Sequence, residues 1–194
     1  SSFPMKQLLI LFTFLVVIHG FCNLKAEEKK FAKFYKKYYL RSLSLKQART
    51  LIKKMESFIK NTNAGDMETF FDFIIQTSVS LLPAAKQKVY MDTLKQAAAK
   101  LGSQAKYNTV MGQLKAAVVA VADPYFTIAR KDITINPKAG DKAKNCLAIS
   151  SLGPYFNKEN SKAVMDRLKA AADPDDLKTF KKVMKKLMPL LGLH

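Results

Sequence analysis

Histidine and cysteine are scarce in this chain, two of each in 194 residues, and acidic residues are outnumbered 15 to 33 by basic ones. The strongest apolar run, residues 8–18, is about half the roughly 20 residues that a bilayer core demands. Lys6 precedes the run, and tolerated cleavage positions follow it: Gly20 with Cys22, or Leu24 with Ala26. That layout predicts a secretory signal peptide, with a short membrane anchor or a core helix as alternatives. Residues 1–4, "SSFP", read as translated upstream sequence or a cloning remnant. The expected division is therefore 1–26 for upstream residues plus leader, and 27–194 for one helical domain exported from the cell.

Removing the leader would take His19 and Cys22 with it. The remaining 168 residues keep one histidine, the terminal His194, and one cysteine, Cys146, against 31 basic and 15 acidic residues. Within 27–194 this excludes a His-dependent triad, a His/Cys metal site and an intramolecular disulfide. Cys146 stands beside Leu147 and Ile149 in an apolar-periodic stretch, which reads as a buried thiol, with pairing to a second chain as the alternative. No glycine-rich phosphate loop and no HExxH, GxSxG or CxxC motif occurs. Asp173, Asp175 and Asp176 are three acids in four residues, but they open a helix, where capping accounts for them better than calcium binding. The expectation is a protein with no enzymatic activity, no cofactor and no metal.

What is present is one helical pattern after another. Segment 27–42, "EEKKFAKFYKKYYLRS", sets Phe31, Tyr35 and Tyr38 on one face. Ser44 and Gln47 form a capping box before a stripe of Leu45, Ala48, Ile52, Met55 and Ile59. Asp66 caps "METFFDFIIQTSVSLL", which is apolar on nearly every side and so is expected to be buried all round. Pro83 precedes a helix with Val89, Leu94, Ala97, Ala98 and Leu101 inward and Gly102 as its stop. Ser103 starts the next, with Tyr107, Val110, Met111, Leu114, Val118 and Val121 as its stripe. Residues 123–140 carry two prolines and read as an irregular connection, the best place for a mobile lid. A short helix at 141–153, one starting near Asn160, and one capped by Asp173 complete the chain. In the last, Leu177, Phe180, Met184, Leu187 and Leu191 oppose a lysine face, and Pro189 should end or kink the helix. The predicted fold is all-α: a single irregular bundle of about seven or eight amphipathic helices. The echo between "VMGQLKAAVVAVADP" and "VMDRLKAAADP" reads as the likeness of Lys- and Ala-rich helices, not as a repeat.

Two surpluses need a function. The first is lysine, dispersed over most helices and used far more than arginine, which argues against a sequence-specific nucleic-acid reader. It leaves a solvated exterior or a surface for polyanions such as anionic membranes and glycans. Lys33, Lys36, Lys37, Lys181, Lys182, Lys185 and Lys186 are the candidates for that surface. The second is apolar bulk: a filled core, or a cavity between helices that takes small hydrophobic ligands. The candidate lining is Phe70, Phe71, Ile74, Ile75, Val79, Val110, Leu114, Val118, Val121 and Phe126, with Arg130 to receive a ligand carboxylate.

Two stretches carry a family resemblance. "FAKFYKKYYLRSLSLKQARTLIKKM" and "LLPAAKQKVYMDTLKQAA" cover about a third of the chain. They resemble, respectively, the Phe-Tyr pair with its capped helix and the Pro-x-Ala-Lys helix of the nematode fatty-acid- and retinol-binding family. The SXP group of secreted nematode helical antigens is a comparable match. The first resemblance implies a secreted, all-helical, non-enzymatic carrier of fatty acids and retinol, with the hydrophobic small molecule as its partner. The other reading is a basic secreted protein that binds polyanions or anionic membrane surfaces.

Overall fold

The computed structural model describes residues 44–135, 138, 140, 144 and 158–190. The expected leader, the helix at 27–42 with Lys33, Lys36 and Lys37, and Cys146 lie outside the described residues. So do the side chains of Ala48, Ile52 and 186–190. The described residues form six helices and no strand: α1 (Leu45–Lys60), α2 (Met67–Ser80), α3 (Ala84–Leu101), α4 (Gln104–Ile135), α5 (Lys158–Ala171) and α6 (Pro174–Leu190). The all-α fold class holds, with six described helices where seven or eight were expected along the chain.

Local signals set most boundaries. The Ser44 hydroxyl accepts from the Gln47 amide at 3.1 Å while the Gln47 side chain accepts from the Ser44 amide at 2.7 Å, closing a capping box on α1. Gln47 Nε2 also donates to the Leu81 carbonyl at 2.8 Å, tying the start of α1 to the end of α2. Asp66 accepts from the Thr69 amide at 2.9 Å at the head of α2. Gly102, at φ +95°, takes the left-handed turn that separates α3 from α4. Asp173 accepts from the amides of Asp175 and Asp176 at 3.0 and 2.9 Å, so the acid cluster caps α6, and Pro174 occupies its first position. α6 runs one residue beyond Pro189.

α4 is the axis of the fold. Its 32 residues span about 48 Å, and it packs against each of the other five described helices. Its buried residues recur every three or four positions from Tyr107 through Leu114, Val118 and Phe126 to Ile133. Here the structure corrects the expected irregular connection: residues 123–135 continue the helix across Asp123 and Pro124. Proline cannot donate to the Ala120 carbonyl, which normally breaks a helix. Pro124 and Ala120 are both exposed, so water can reach the orphaned carbonyl, while Phe126, Ala129 and Ile133 hold the far half in the core. Residues 123–135 are therefore helix, not the irregular segment expected there, and 136, 137 and 139 lie outside the described residues.

Two further expectations change. α2 is not buried all round: Met67, Phe70, Phe71, Ile74, Thr77 and Ser78 face inward, and Glu68, Gln76 and Ser80 are exposed with Asp72 half-buried on the same side. Four polar residues at intervals of four give α2 a wet stripe. On α3 only Thr93, Ala97, Ala98 and Leu101 are buried, and Val89 lies outside the core.

Candidate ligand site

The candidate lining residues come from two helices that pack together, α2 and α4. Phe70, Phe71, Ile74, Val110, Leu114, Val118 and Phe126 are buried; Ile75 and Val121 are partly buried against the same core, and Val79 is half-buried. Phe70 meets Phe126 with ring centroids 5.3 Å apart, and Phe58 of α1 meets Phe70 at 5.2 Å and Phe73 at 4.9 Å. Tilted aromatic contacts at such distances add attraction beyond burial itself. Phe58 and Phe73 were absent from the sequence-based lining. Phe58 sits one residue off the stripe read for α1, which is why spacing alone passed over it.

Arg130 closes one end of this aromatic group. Its guanidinium carbon lies 4.4 Å from the centre of the Phe126 ring and 5.7 Å from that of Phe58. Nε donates to the Ile59 carbonyl at 3.3 Å, and Nη2 to those of Phe58 and Asn61 at 3.2 and 3.0 Å. Nη1 donates to the Thr62 carbonyl at 3.5 Å and to that of Gly65. An arginine has five N–H donors, and here five carbonyls at the end of α1 and in the following turn match them. Burial pulls the guanidinium pKa down, and the nearby Asp66 carboxylate opposes that. The group is occupied as a cap on the C-terminal end of α1, where a positive charge also suits the helix dipole.

Other charges are similarly engaged. Lys115 of α4 bridges Glu68 and Asp72 of α2 at 3.0 and 2.9 Å, and the hydrogen bond to Asp72 is the main cause of its raised pKa. Lys106 reaches Asp176 at 3.2 Å. Burial pushes the phenols of Tyr90 and Tyr107 up, that of Tyr107 further with Tyr90 beside it, so both stay protonated. In contrast, Lys178, Lys182 and Lys185 are exposed and Lys181 is half-buried on the outer side of α6, with no carboxylate partner among the described residues.

Among the described residues no cluster of three or more His, Cys, Asp or Glu is placed to hold a metal ion. None of the described helices is long and apolar enough to cross a membrane. No family model, curated protein or solved structure matches the chain.

Proposed function

We propose that this chain is a secreted, non-enzymatic carrier of small hydrophobic molecules, held between α2 and α4. One observation supports this most: α2 and α4 pack together and bury Phe70, Phe71, Ile74, Val110, Leu114, Val118 and Phe126, with Phe70 against Phe126 and the cationic groups nearby turned to backbone carbonyls or carboxylates. Affinity would come from removing an acyl or isoprenoid chain from water, about 0.8 kcal/mol per buried CH₂. Fatty acids and retinol are the ligand classes that the resemblance to the nematode carriers suggests. Gentle purification of the secreted protein, followed by organic extraction and mass spectrometry, tests the reading. Stoichiometric lipid in the extract supports it, and a clean extract from protein that also fails to take up added lipid ends it.

A second reading rests on the lysine side of α6, where Lys178, Lys181, Lys182 and Lys185 have no carboxylate partner among the described residues. As a polyanion or anionic-membrane binder, the protein would be held on heparin and released steeply by salt. Replacing Lys181, Lys182, Lys185 and Lys186 with Gln should then shorten retention; unchanged retention makes them a solvated face.

A further inference from the structure

Ser78 of α2 is 5% exposed, and its hydroxyl has no hydrogen-bond partner among the described residues. Such a group is costly in a folded interior, about 1–3 kcal/mol, and buried polar atoms are normally paired. Five other helical hydroxyls among the described residues do find partners: Thr50, Thr93, Thr109 and Thr134 each return to the carbonyl four residues back, and Ser80 to the one three back. Ser78 lies one helical turn from the buried Ile74, on the face of α2 that includes Phe71. The two cations beside the aromatic lining, toward the other end of α2 from Ser78, are both engaged. Arg130 spends its five donors on carbonyls, and Lys115 is taken by Glu68 and Asp72. A carboxylate drawn inside would meet no free cation among these and would lose its hydration at a cost of several kcal/mol.

We infer that Ser78 is the hydrogen-bond partner for the polar end of the ligand, and that the site prefers an uncharged, hydroxyl-ended chain to a carboxylate. This rests on the carrier reading and names the ligand class within it. A hydroxyl serves an alcohol in both directions, as donor and acceptor, and asks for no counter-ion.

The test uses the full secreted chain loaded with the neutral polarity-sensitive dye Nile red, displaced by three probes of one length: 1-dodecanol, dodecane and dodecanoate. The wild type should bind dodecanol more tightly than dodecanoate at pH 8, with dodecanoate gaining affinity as pH falls and its carboxyl protonates. Ser78→Ala should weaken dodecanol about tenfold, the equivalent of one hydrogen bond, and leave dodecane unchanged. Without ligand, Ser78→Ala should melt no lower than the wild type, because the hydroxyl it removes is unpaired. Equal dodecanol affinity in the two proteins overturns the role of Ser78 while leaving the carrier standing. Dodecanoate binding as tightly as dodecanol at pH 8 overturns the preference for neutral ligands. A lower melting temperature for the variant means that the hydroxyl has an internal partner and also overturns the assignment. If none of the probes displaces or competes with the dye, the carrier reading falls and takes this inference with it.

Discussion

Arg130 Nη2 donates to the Asn61 carbonyl at 3.0 Å, across 69 residues of sequence, and so fastens the second half of α4 to the turn that ends α1. The same guanidinium covers the Phe126 ring. Replacing Arg130 with Ala should lower the unfolding free energy by about 2–3 kcal/mol, since hydrogen bonds to a charged group are lost and the part-buried carbonyls of Phe58, Ile59 and Gly65 are stranded. Arg130→Lys should recover less than half of that, because an ammonium offers a point charge in place of a planar fork. Urea unfolding followed by circular dichroism measures both.

The turn that Arg130 holds depends on Gly65. Its φ of +124° is a conformation that side-chain-bearing residues rarely adopt, and a Cβ there would come within 2.6 Å of the Thr69 side chain. Gly65→Ala should therefore destabilise the fold by about 1–3 kcal/mol. Gly102→Ala, also at positive φ but with open space around its would-be Cβ, should cost less. Thermal melts of the pair would separate strain plus clash from strain alone.

Asp66 gives a pH signature. The amide and hydroxyl of Thr69 hold its carboxyl below the ordinary 3.8. A depressed carboxyl contributes stability above its unfolded pKa and loses it as pH falls through the folded value. The wild type should thus unfold at higher urea than Asp66→Ala at pH 7, and the gap should narrow as pH drops from about 4 to 2. A gap of constant width would show that the cap does not act through the ionised carboxylate.

Capping and spacing made much of the fold legible in the sequence. Ser44, Asp66, Ser103 and Asp173 each start a helix where the cap chemistry requires, and the α4 stripe from Tyr107 to Val121 faces the core as its period demands. Pro124 misled because a proline's local cost says nothing about the burial of Phe126, Ala129 and Ile133, which outweighs it. The α2 run misled in the opposite sense, since its apolar richness hid the polar stripe from Glu68 to Ser80. For the site, the aromatic residues of α2 and α4 were readable as candidates. The engagement of Arg130 was not, because its partners are backbone carbonyls, which no side-chain pattern encodes. Ser78 gave no signal for the same reason: being unpaired is a property of three-dimensional surroundings.

Pro124 provides a separate test of how α4 is held. The helix is already formed around it, and the residue is exposed. Pro124→Ala would restore an amide donor for the Ala120 carbonyl and should raise stability, by up to about 3 kcal/mol. A drop in melting temperature would mean that the ring makes contacts that the helix needs.

The carrier proposal meets its most direct test in a titration of the purified, delipidated chain with a fluorescent fatty alcohol or fatty acid, followed by displacement with unlabelled lipid. A saturable blue shift of the probe, reversed by competitor and weakened when Phe70 or Phe126 is replaced by a polar residue in a variant that still folds, is the expected result. A probe spectrum that stays as it is in buffer at every protein concentration would contradict the proposal.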